Sequence, residues 1–301
     1  MRTYATIITT DEYLLGALTL HRSLRMTKPS YDLLVLVTKN VSDTSRRALE
    51  RTGIKTLVLA LDFPMAEETK AINTRSGASH WNHTLNKLLI FELTLYEKIV
   101  FLDSDMMVLR NLDHLFERSH MSAVVADGLI PGHEHWVGLN SGLMVIEPES
   151  GLAGSILSRA SVLEDKEECF GDQDLLHAHY PDWPERSELH LDQKYNVFFP
   201  SVETYVNRYG YNVNWTSPDD KTIAVLHFIG PKKPWSLSGR AQWKALLREF
   251  TRFNFVSAKV LFHYFFIINR LRTGESQFGA DRTDRWAEKR MPPGRRLPSG
   301  S

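Results

Sequence analysis

An apolar run that ends on two carboxylates, KIVFLDSDMMVL over residues 98–109, constrains the fold of this chain most strongly. Residues 99–102 are typical of a parallel strand covered on both faces. In an extended segment, positions i and i+2 project to the same side, so Asp103 and Asp105 converge on one point. A hard divalent ion would remove their mutual repulsion. The run therefore predicts a metal at a strand end, although an isolated Asp-x-Asp pair is more simply explained as a solvated turn.

The chain before this run alternates between strand and helix patterns. Strands are predicted at residues 4–10, 33–37 and 55–61, and helices at 13–25 and 43–52, the second capped by Ser42. This β-α-β-α-β order implies an α/β fold with a parallel sheet, in which ligands bind at the carboxyl ends of strands. Thr10, Asp11 and Tyr13 follow the first strand and could flank a nucleotide. Helix capping explains the same residues equally well.

The middle of the chain contains a long polar segment and several short elements. Residues 62–83 predict a mobile lid or substrate loop, because a compact domain rarely keeps such a stretch without a purpose. A helix is predicted at residues 84–96, with Lys87 near its start. His133 and His135 are interpreted as surface histidines, since no cysteine or carboxylate pattern accompanies them. Shorter elements are predicted as helices at 112–116, 149–163 and 175–178 and as strands at 122–126, 140–146, 188–191, 197–199 and 223–228.

Three later motifs carry polar groups suited to a ligand. Asn140-Ser141-Gly142 opens a strand, and amide and hydroxyl groups suit a hydroxylated ligand, although a plain turn is the competing interpretation. The acidic residues of Gly171-Asp172-Gln173-Asp174 can be explained as helix N-terminal charges. His227 ends the last strand and is followed by Gly230 and Lys233. An imidazole can bind a metal, and a glycine and a lysine suit a phosphate.

Charge and cysteine content exclude some classes of protein. Among 301 residues, 36 basic side chains balance 36 acidic ones, so no overall field attracts nucleic acid or anionic lipid. The single cysteine, Cys169, excludes an internal disulfide framework and fits a reducing compartment. The first residues lack the pattern of a signal peptide. We therefore expect a cytoplasmic protein, with a peripheral position at a membrane left open.

With Asp103-Ser104-Asp105, Asn140-Ser141-Gly142, Gly171-Asp172-Gln173 and His227-to-Trp235 in this order, the sequence resembles the glycogenin-like glycosyltransferases of family 8 over about residues 4–236. The resemblance implies a GT-A fold, an open, mostly parallel Rossmann-like sheet flanked by helices. It implies transfer of a hexose from a UDP-sugar, with retention of configuration and with Mn²⁺ as the cofactor, Mg²⁺ being the alternative ion.

The resemblance also implies a role for individual residues. The metal ligands would be Asp103, Asp105 and His227. The donor would contact Ile8, Thr10, Asp11, Tyr13, Arg75, Lys87, Ser104, Asn140, Ser141, Gly230 and Lys233, and the catalytic positions would be Asp172 and Gln173. Retention requires either a carboxylate nucleophile, for which Asp172 is the candidate, or attack from the leaving-group face, which needs no nucleophile.

The substrates stay open at this point. The donor is expected to be UDP-glucose, UDP-galactose or UDP-GlcNAc, and the acceptor a polyol, a saccharide, a lipid-linked sugar or the protein's own tyrosine. Tyr205, Tyr209 and Tyr211 occupy the interval that holds the acceptor tyrosine in glycogenin, but the extension that recruits glycogen synthase is replaced here. We therefore favour a separate acceptor over a self-glucosylating glycogenin. A non-catalytic nucleotide-sugar-binding module is disfavoured because both aspartates and His227 are present.

The end of the chain differs from the rest in composition. Residues 1–240 are expected to form the catalytic domain, 241–273 an apolar and basic helix, and 274–301 a disordered tail. The helix, placed at 243–272, is expected to contact a membrane or another apolar surface peripherally, and a core helix packed on the catalytic domain is about equally supported. A homodimer is also left open.

Overall fold

The structure is a computed structural model that describes residues 1–60, 63, 65–164 and 169–273. The predicted tail at 274–301 lies outside these described residues. The strands are β1 (Arg2–Ile8), β2 (Leu33–Val37), β3 (Lys55–Val58), β4 (Lys98–Leu102), β5 (Met106–Val108), β6 (Ala123–Val125), β7 (Leu139–Ile146), β8 (His190–Leu191), β9 (Val197–Phe198) and β10 (Val225–His227).

The α-helices are α1 (Leu14–Met26), α2 (Asp43–Arg51), α3 (Glu67–Arg75), α4 (Leu152–Leu157), α5 (Ala160–Glu164), α6 (Asp172–His179), α7 (Val202–Tyr209), α8 (Gly239–Thr251) and α9 (Phe255–Arg272). Segments of 3-10 helix lie at Asp11–Tyr13, Ser79–Glu92, Asp113–Glu117, Trp183–Glu185, Ser187–Leu189, Gln193–Tyr195, Phe199–Ser201 and Pro234–Ser236.

The strands form a seven-stranded sheet in the order β3-β2-β1-β4-β7-β6-β8 and a three-stranded sheet in the order β5-β10-β9. In the large sheet β3, β2, β1 and β4 are parallel, and β7 runs antiparallel to both of its neighbours. The mostly parallel α/β sheet that the sequence predicts is therefore confirmed. The carboxyl ends of the parallel strands and the start of β7 meet at one edge of this sheet.

Strand β2 shows why this sheet is covered on both sides. All five of its residues are buried, but Leu33, Val35 and Val37 belong to one hydrophobic cluster and Leu34 and Leu36 to another. Alternate side chains of a strand point to opposite faces, so each face has its own core. Helices α1 and α2 contribute to the first core, and the Ser79–Glu92 segment, α4 and α6 contribute to the second.

Several predicted elements differ from the structure. The polar segment at 62–83 contains the helix α3, and the predicted helix at 84–96 is a 3-10 segment that ends at Glu92. Residues 88–91 of that segment are all buried, so it lies inside the core and shows no single apolar stripe. The single helix predicted at 243–272 is two helices, α8 and α9. Phe253 has a φ of 60° between them, a left-handed conformation that an α-helix cannot continue through.

Candidate active site

The site forms where the large and small sheets meet. Strand β4 ends at Leu102, Asp103 follows, and the chain turns through Asp105 into β5. Strand β10 pairs antiparallel with β5, and this pairing places His227 opposite Met106. Residues 103–106 and 227 are therefore neighbours although about 120 positions separate them. Asp103, Ser104, Asp105 and His227 line a cavity of about 770 Å³.

Three side chains in this cavity have the arrangement of a metal-binding cluster. Asp103, Asp105 and His227 each offer one ligand atom, and these atoms lie within 4.8 Å of one another. The His227 Nε2 atom is 3.1 Å from Asp105 Oδ1 and 3.8 Å from Asp103 Oδ2. Two carboxylate oxygens and one imidazole nitrogen suit Mn²⁺. The residues therefore fit a divalent ion of the kind that the sequence predicts.

The orientation of His227 depends on a residue that the sequence did not indicate. The Asn196 Oδ1 atom lies 2.9 Å from His227 Nδ1 and accepts a hydrogen bond when that nitrogen carries the proton. This assignment leaves the lone pair of Nε2 facing the carboxylates. The buried Asn196 is itself fixed, because its Nδ2 donates to Asn140 Oδ1 over 2.6 Å. Asn196 is thus a positioning residue for the candidate metal ligand.

Two lysines contact the carboxylates of the site. The Lys87 Nζ atom lies between Asp103 Oδ1, at 2.9 Å, and Asp172 Oδ2, at 2.8 Å. The Lys233 Nζ atom is 2.5 Å from Asp105 Oδ2 and donates to the Phe228 carbonyl over 2.9 Å. Without His227, the three carboxylates and two ammonium groups have a net charge of −1. A site with this small net charge can bind both a divalent cation and an anionic diphosphate.

These charges shift one another's pKa values. Burial lowers the pKa of Lys87, but attraction to Asp103 and Asp172 is stronger, and the net pKa is raised. Burial raises the pKa of Asp103, with repulsion from Asp105 adding to it and Lys87 opposing it. Burial also acts to raise the pKa of Asp105, but His227 and Lys233 overcome it and the pKa is lowered. Lys87 therefore remains an ammonium group at neutral pH.

Amide and hydroxyl groups lie next to this charged cluster. The Ser141 backbone N–H donates to Gln173 Oε1 over 3.2 Å, and the Gly142 N–H donates to Asn140 Oδ1 over 2.9 Å. A Cβ atom on Gly142 would lie 2.8 Å from His227 Cε1, so a larger residue would displace the imidazole. The Asp172 backbone N–H donates to Thr84 Oγ1 over 3.2 Å. The predicted Asn-Ser-Gly and Gly-Asp-Gln motifs therefore meet in space.

The opposite part of the cavity is formed by the turn after β1 and the turn after β10. The ring of Tyr13 packs edge-on against Trp235 at 5.8 Å, and burial together with the nearby Asp105 and Asp103 raises the pKa of Tyr13 to about 12. Asp11 Oδ1 accepts a hydrogen bond of 2.9 Å from the Ser42 backbone N–H at the start of α2. Gly230 has a φ of 91°, which favours glycine at this turn.

Most of the predicted site residues line this one cavity. They are Thr10, Asp11, Tyr13, Lys87, Asp103, Ser104, Asp105, Asn140, Ser141, Asp172, Gln173, His227, Gly230 and Lys233. Ile8 and Arg75 are not among the lining residues. Ile8 is buried in the core while its neighbour Ile7 lines the cavity, and Arg75 lies in the exposed last turn of α3. Trp81 and Thr84 also line the cavity, and no motif in the sequence indicated them, whereas Asp174, another lining residue, belongs to the Gly-Asp-Gln-Asp motif.

Comparison with known proteins identifies relatives across most of the chain. A family model described as Glycosyl transferase family 8 matches residues 5–238. Inositol phosphorylceramide glucuronosyltransferase 1 of Arabidopsis thaliana is 32% identical over 243 residues, which are 77% of this chain and 42% of the plant protein. Glycogenin-1 of Oryctolagus cuniculus is 33% identical over 251 residues, 82% of this chain and 69% of that protein. The chain thus spans less than half of the plant relative.

Solved structures share the architecture at lower sequence identity. The galactosyltransferase LgtC, in complex with donor and acceptor sugar analogues, has a TM-score of 0.56 and 17% identity, covering 86% of this chain and 96% of its own. The glycosyltransferase GlyE of Streptococcus pneumoniae has a TM-score of 0.52 and 16% identity, covering 93% of this chain and 66% of its own. These likenesses concern the fold, which is of the GT-A type.

Proposed function

This chain belongs to glycosyl transferase family 8 and is a glycosyltransferase, and from that premise we propose that it transfers a neutral hexose from a UDP-sugar to a hydroxyl acceptor in a Mn²⁺-dependent reaction. The observation that carries the proposal is the cluster of Asp103, Asp105 and His227 at the floor of a cavity that also contains Lys87 and Lys233. A non-catalytic binding module would not need this concentration of charge in one cleft.

The proposed ligands of Mn²⁺ are Asp103, Asp105 and His227. When bound, Mn²⁺ supplies positive charge that stabilises the diphosphate leaving group. Lys233 provides a second cation from the chain itself, on the turn that also contains Gly230. Lys87 partly compensates the charges of Asp103 and of the buried Asp172. Tyr13 and the Thr10–Asp11 turn are the proposed contacts of the uridine.

The proposed reaction retains the configuration of the sugar. Asp172 is buried, and Lys87 holds one of its oxygens at 2.8 Å. The position of Asp172 beside Gln173 and Ser141 makes it the candidate nucleophile. Attack of the acceptor from the face of the leaving group is the alternative, and there Asp172 would stabilise positive charge on the sugar. A trapped glycosyl-enzyme ester on Asp172 would distinguish the first route from the second.

A neutral hexose suits this cavity better than a uronic acid. The carboxylates of Asp172 and Asp174 line the cavity together with the amides of Asn140 and Gln173. A glucuronate carboxylate would add a further anion beside them, whereas amides and hydroxyls bind sugar hydroxyls well. UDP-glucose, UDP-galactose and UDP-GlcNAc are therefore the proposed donors. This proposal departs from the donor that the name of the plant relative implies.

The proposed acceptor is a separate molecule and not a tyrosine of this chain. Tyr205 and Tyr211 are buried, and their hydroxyls donate to Gln193 Oε1 over 3.2 Å and to Asp192 Oδ1 over 3.0 Å. Burial raises the pKa of both phenols further above the usual range. Both hydroxyls are therefore held within the fold and are not free to act as acceptors. A small polyol, a saccharide or a lipid-linked sugar remains the proposed acceptor class.

The location and assembly of the protein are proposals as well. Among the described residues, none of the helices combines the length and the hydropathy needed to cross a bilayer. We propose that residues 1–240 form the catalytic domain and that the protein is cytoplasmic. We also propose that residues 243–272 contact a membrane peripherally. A homodimer is a further hypothesis.

The decisive experiment measures release of UDP from UDP-glucose, UDP-galactose, UDP-GlcNAc and UDP-glucuronate with Mn²⁺ or Mg²⁺, with and without candidate acceptors. We expect release from a neutral donor, at least about 100-fold slower in Asp105→Asn than in the unaltered chain. Asp32→Asn, which changes an exposed aspartate distant in sequence from the site, is the matched control. Undiminished release in excess chelator, or in Asp105→Asn, would overturn the metal-dependent mechanism.

Intact mass measured after the same incubations tests the acceptor proposal. We expect no hexose added to the protein. Successive increments of one hexose, abolished by Tyr205→Phe, Tyr209→Phe or Tyr211→Phe, would show that the chain glycosylates itself.

A further inference from the structure

The outer faces of α8 and α9 expose large apolar side chains in a regular pattern. On α8, Trp243, Leu247 and Phe250 follow the i, i+4, i+7 spacing of one helix face, and Trp243 is 71% exposed. On α9, Phe255, Phe262 and Phe266 are exposed, again at spacings that keep them on one face. We call these six residues, together with Phe253 between the helices, the aromatic face.

The aromatic face is continuous across the two helices. A cavity of about 410 Å³ between them is lined by Trp243, Phe262 and Phe266. Phe253 is 77% exposed, and its ring lies 6.1 Å from that of Phe255. The opposite face of α9 is covered by protein, because Val260, Tyr264 and Ile268 are buried in the core around the small sheet. Apolar side chains exposed over such a contiguous area are typical of a contact surface.

Helices α8 and α9 form a hairpin, and its charge contrasts with that of the whole chain. Residues 239–272 contain Arg240, Lys244, Arg248, Arg252, Lys259, Arg270 and Arg272, against one acidic residue, Glu249, so their net charge is 7 − 1 = +6 in a chain whose total is zero. Glu249 is buried and pairs with Arg248. Among the described residues no carboxylate forms an ion pair with Arg240, Lys244 or Arg252. Arg240, Trp243 and Leu247 share one face of α8, so basic and apolar side chains alternate there.

We propose that the aromatic face docks on a membrane that contains anionic phospholipid. Helices that lie at a membrane surface combine Trp and Phe, which enter the boundary between headgroups and acyl chains, with Lys and Arg, which contact the anionic headgroups. A second copy of this chain fits less well. In a two-fold symmetric contact each basic side chain would face the same basic surface on the partner. The proposal goes beyond sugar transfer and does not depend on it.

Docking is measured by co-sedimentation of the full chain with vesicles of phosphatidylcholine alone or with 30% phosphatidylserine, without donor or metal. We expect binding to the anionic vesicles that is at least tenfold tighter than binding to the neutral ones and that weakens as salt increases. The variant Arg240→Gln/Lys244→Gln/Arg252→Gln should bind about 100-fold more weakly, since each basic residue contributes about fivefold. The variant Trp243→Gln/Phe253→Gln/Phe262→Gln should not bind.

Two control variants match these changes on another part of the surface. Arg47→Gln/Arg51→Gln/Lys55→Gln alters three exposed basic residues, and Val58→Gln/Leu95→Gln alters two exposed apolar ones. Both should bind like the unaltered chain. All substituted residues are exposed, so each variant should keep the unfolding midpoint of the parent to within a few degrees. Brominated lipid should quench tryptophan fluorescence in the parent and much less in Trp243→Phe.

Several results would overturn the proposal. They are absence of binding to anionic vesicles, equal binding of the aromatic variant and the parent, and quenching that Trp243→Phe leaves unchanged. A concentration-dependent dimer that only the aromatic variant loses, without vesicle binding, would identify a second copy as the partner. Failure of UDP release with normal vesicle binding would refute the proposed transferase activity and leave the docking surface intact.

Discussion

Replacement of Lys87 by methionine tests whether this lysine compensates the negative charges of Asp103 and Asp172. The side chains of Lys87 and Asp172 are each 7% exposed, and that of Asp103 is 24% exposed. Removing one partner of a buried ion pair costs about 3–5 kcal/mol, because the other charge remains buried without compensation. Asp103 can be reached by water, so we expect Lys87→Met to lower the free energy of unfolding by about 3 kcal/mol, the lower end of that range.

A double-mutant cycle separates the ion pair from other effects of the substitution. Asp172→Asn keeps the shape of the side chain and removes its charge. The double variant Lys87→Met/Asp172→Asn should be more stable than the sum of the single effects predicts, by about 1–3 kcal/mol. Urea unfolding in chelator, which keeps the protein metal-free, measures all three variants. Lys70→Met is the control, because Lys70 forms an exposed pair with Glu67 at 2.6 Å that should contribute about 0.5 kcal/mol or less.

The cost of Lys87→Met should also depend on pH. Without the ammonium group the pKa of Asp103, already raised by burial, should rise further above its unfolded value. A carboxyl group whose pKa is raised on folding takes up a proton more readily when folded, so stability increases as the pH falls towards the unfolded value near 4. The destabilisation should therefore be smaller at pH 5 than at pH 8. Additive single effects, or a cost of Lys87→Met no larger than that of Lys70→Met, would refute the proposed role.

Three other substitutions test the site and its support. Asn196→Ala should weaken Mn²⁺ binding by about 10–100-fold in calorimetry, since it releases His227 Nδ1, and unchanged binding would exclude Asn196 as a positioning residue. Gly16→Ala should lower the free energy of unfolding by about 1–3 kcal/mol in urea, because the added Cβ would lie 2.6 Å from the Ser104 carbonyl oxygen. Gly154→Ala, with open space around it, should instead stabilise the protein by up to about 1 kcal/mol. Equal effects of the two substitutions would contradict the packing argument. Burial, together with repulsion from Arg25 and Arg22, lowers the pKa of His21 from 6.5 to about 4. Between these pH values the unfolded chain binds more protons than the folded one. The free energy of unfolding should therefore fall by about 1–3 kcal/mol as the pH decreases from 6.5 to 4. His21→Gln should flatten that part of the stability curve, and an unchanged slope would assign it to other groups.

The sequence predicts the sheet well because its strands have simple patterns. β2 is a run of five apolar residues between polar segments, and a strand buried on both faces requires such a run. The 3-10 segment at Ser79–Glu92 was harder to predict, since its apolar residues are compatible with a helix of either kind. The break at Phe253 was not predicted either. Phenylalanine rarely adopts a left-handed conformation, and neither glycine nor proline marks the turn.

The site was predicted to the extent that its residues lie in motifs. Asp103 and Asp105 were predicted to converge as alternate residues of an extended strand, but they lie in the tight turn between β4 and β5, where the Met106 N–H donates to the Asp103 carbonyl over 3.1 Å. Asn196 acts on His227 from 31 positions away, in a segment whose polar composition resembles an ordinary loop. Gly16 lies inside α1, where glycine is usually unfavourable, and its contact with the Ser104 carbonyl depends on how α1 packs against the turn between β4 and β5. Such contacts follow from tertiary packing and leave no periodic signal.

The C-terminal helices α8 and α9 show why one apolar run was compatible with two interpretations. Residues 255–268 are apolar on nearly every side, a pattern that the sequence could assign either to a core helix or to an interfacial one. In the structure the inner face of α9 packs in the core around β9 and β10, while Phe255, Phe262 and Phe266 remain exposed. The five residues that separate Lys233 from α8 include Trp235, whose indole N–H donates to the Glu12 carbonyl over 2.8 Å and whose own carbonyl accepts from Arg272. The hairpin is thus tied to the turn that contributes Lys233 to the cleft. A surface that docks through α8 and α9 would hold the cleft close to the membrane, which is where a lipid-linked acceptor would have to be glycosylated.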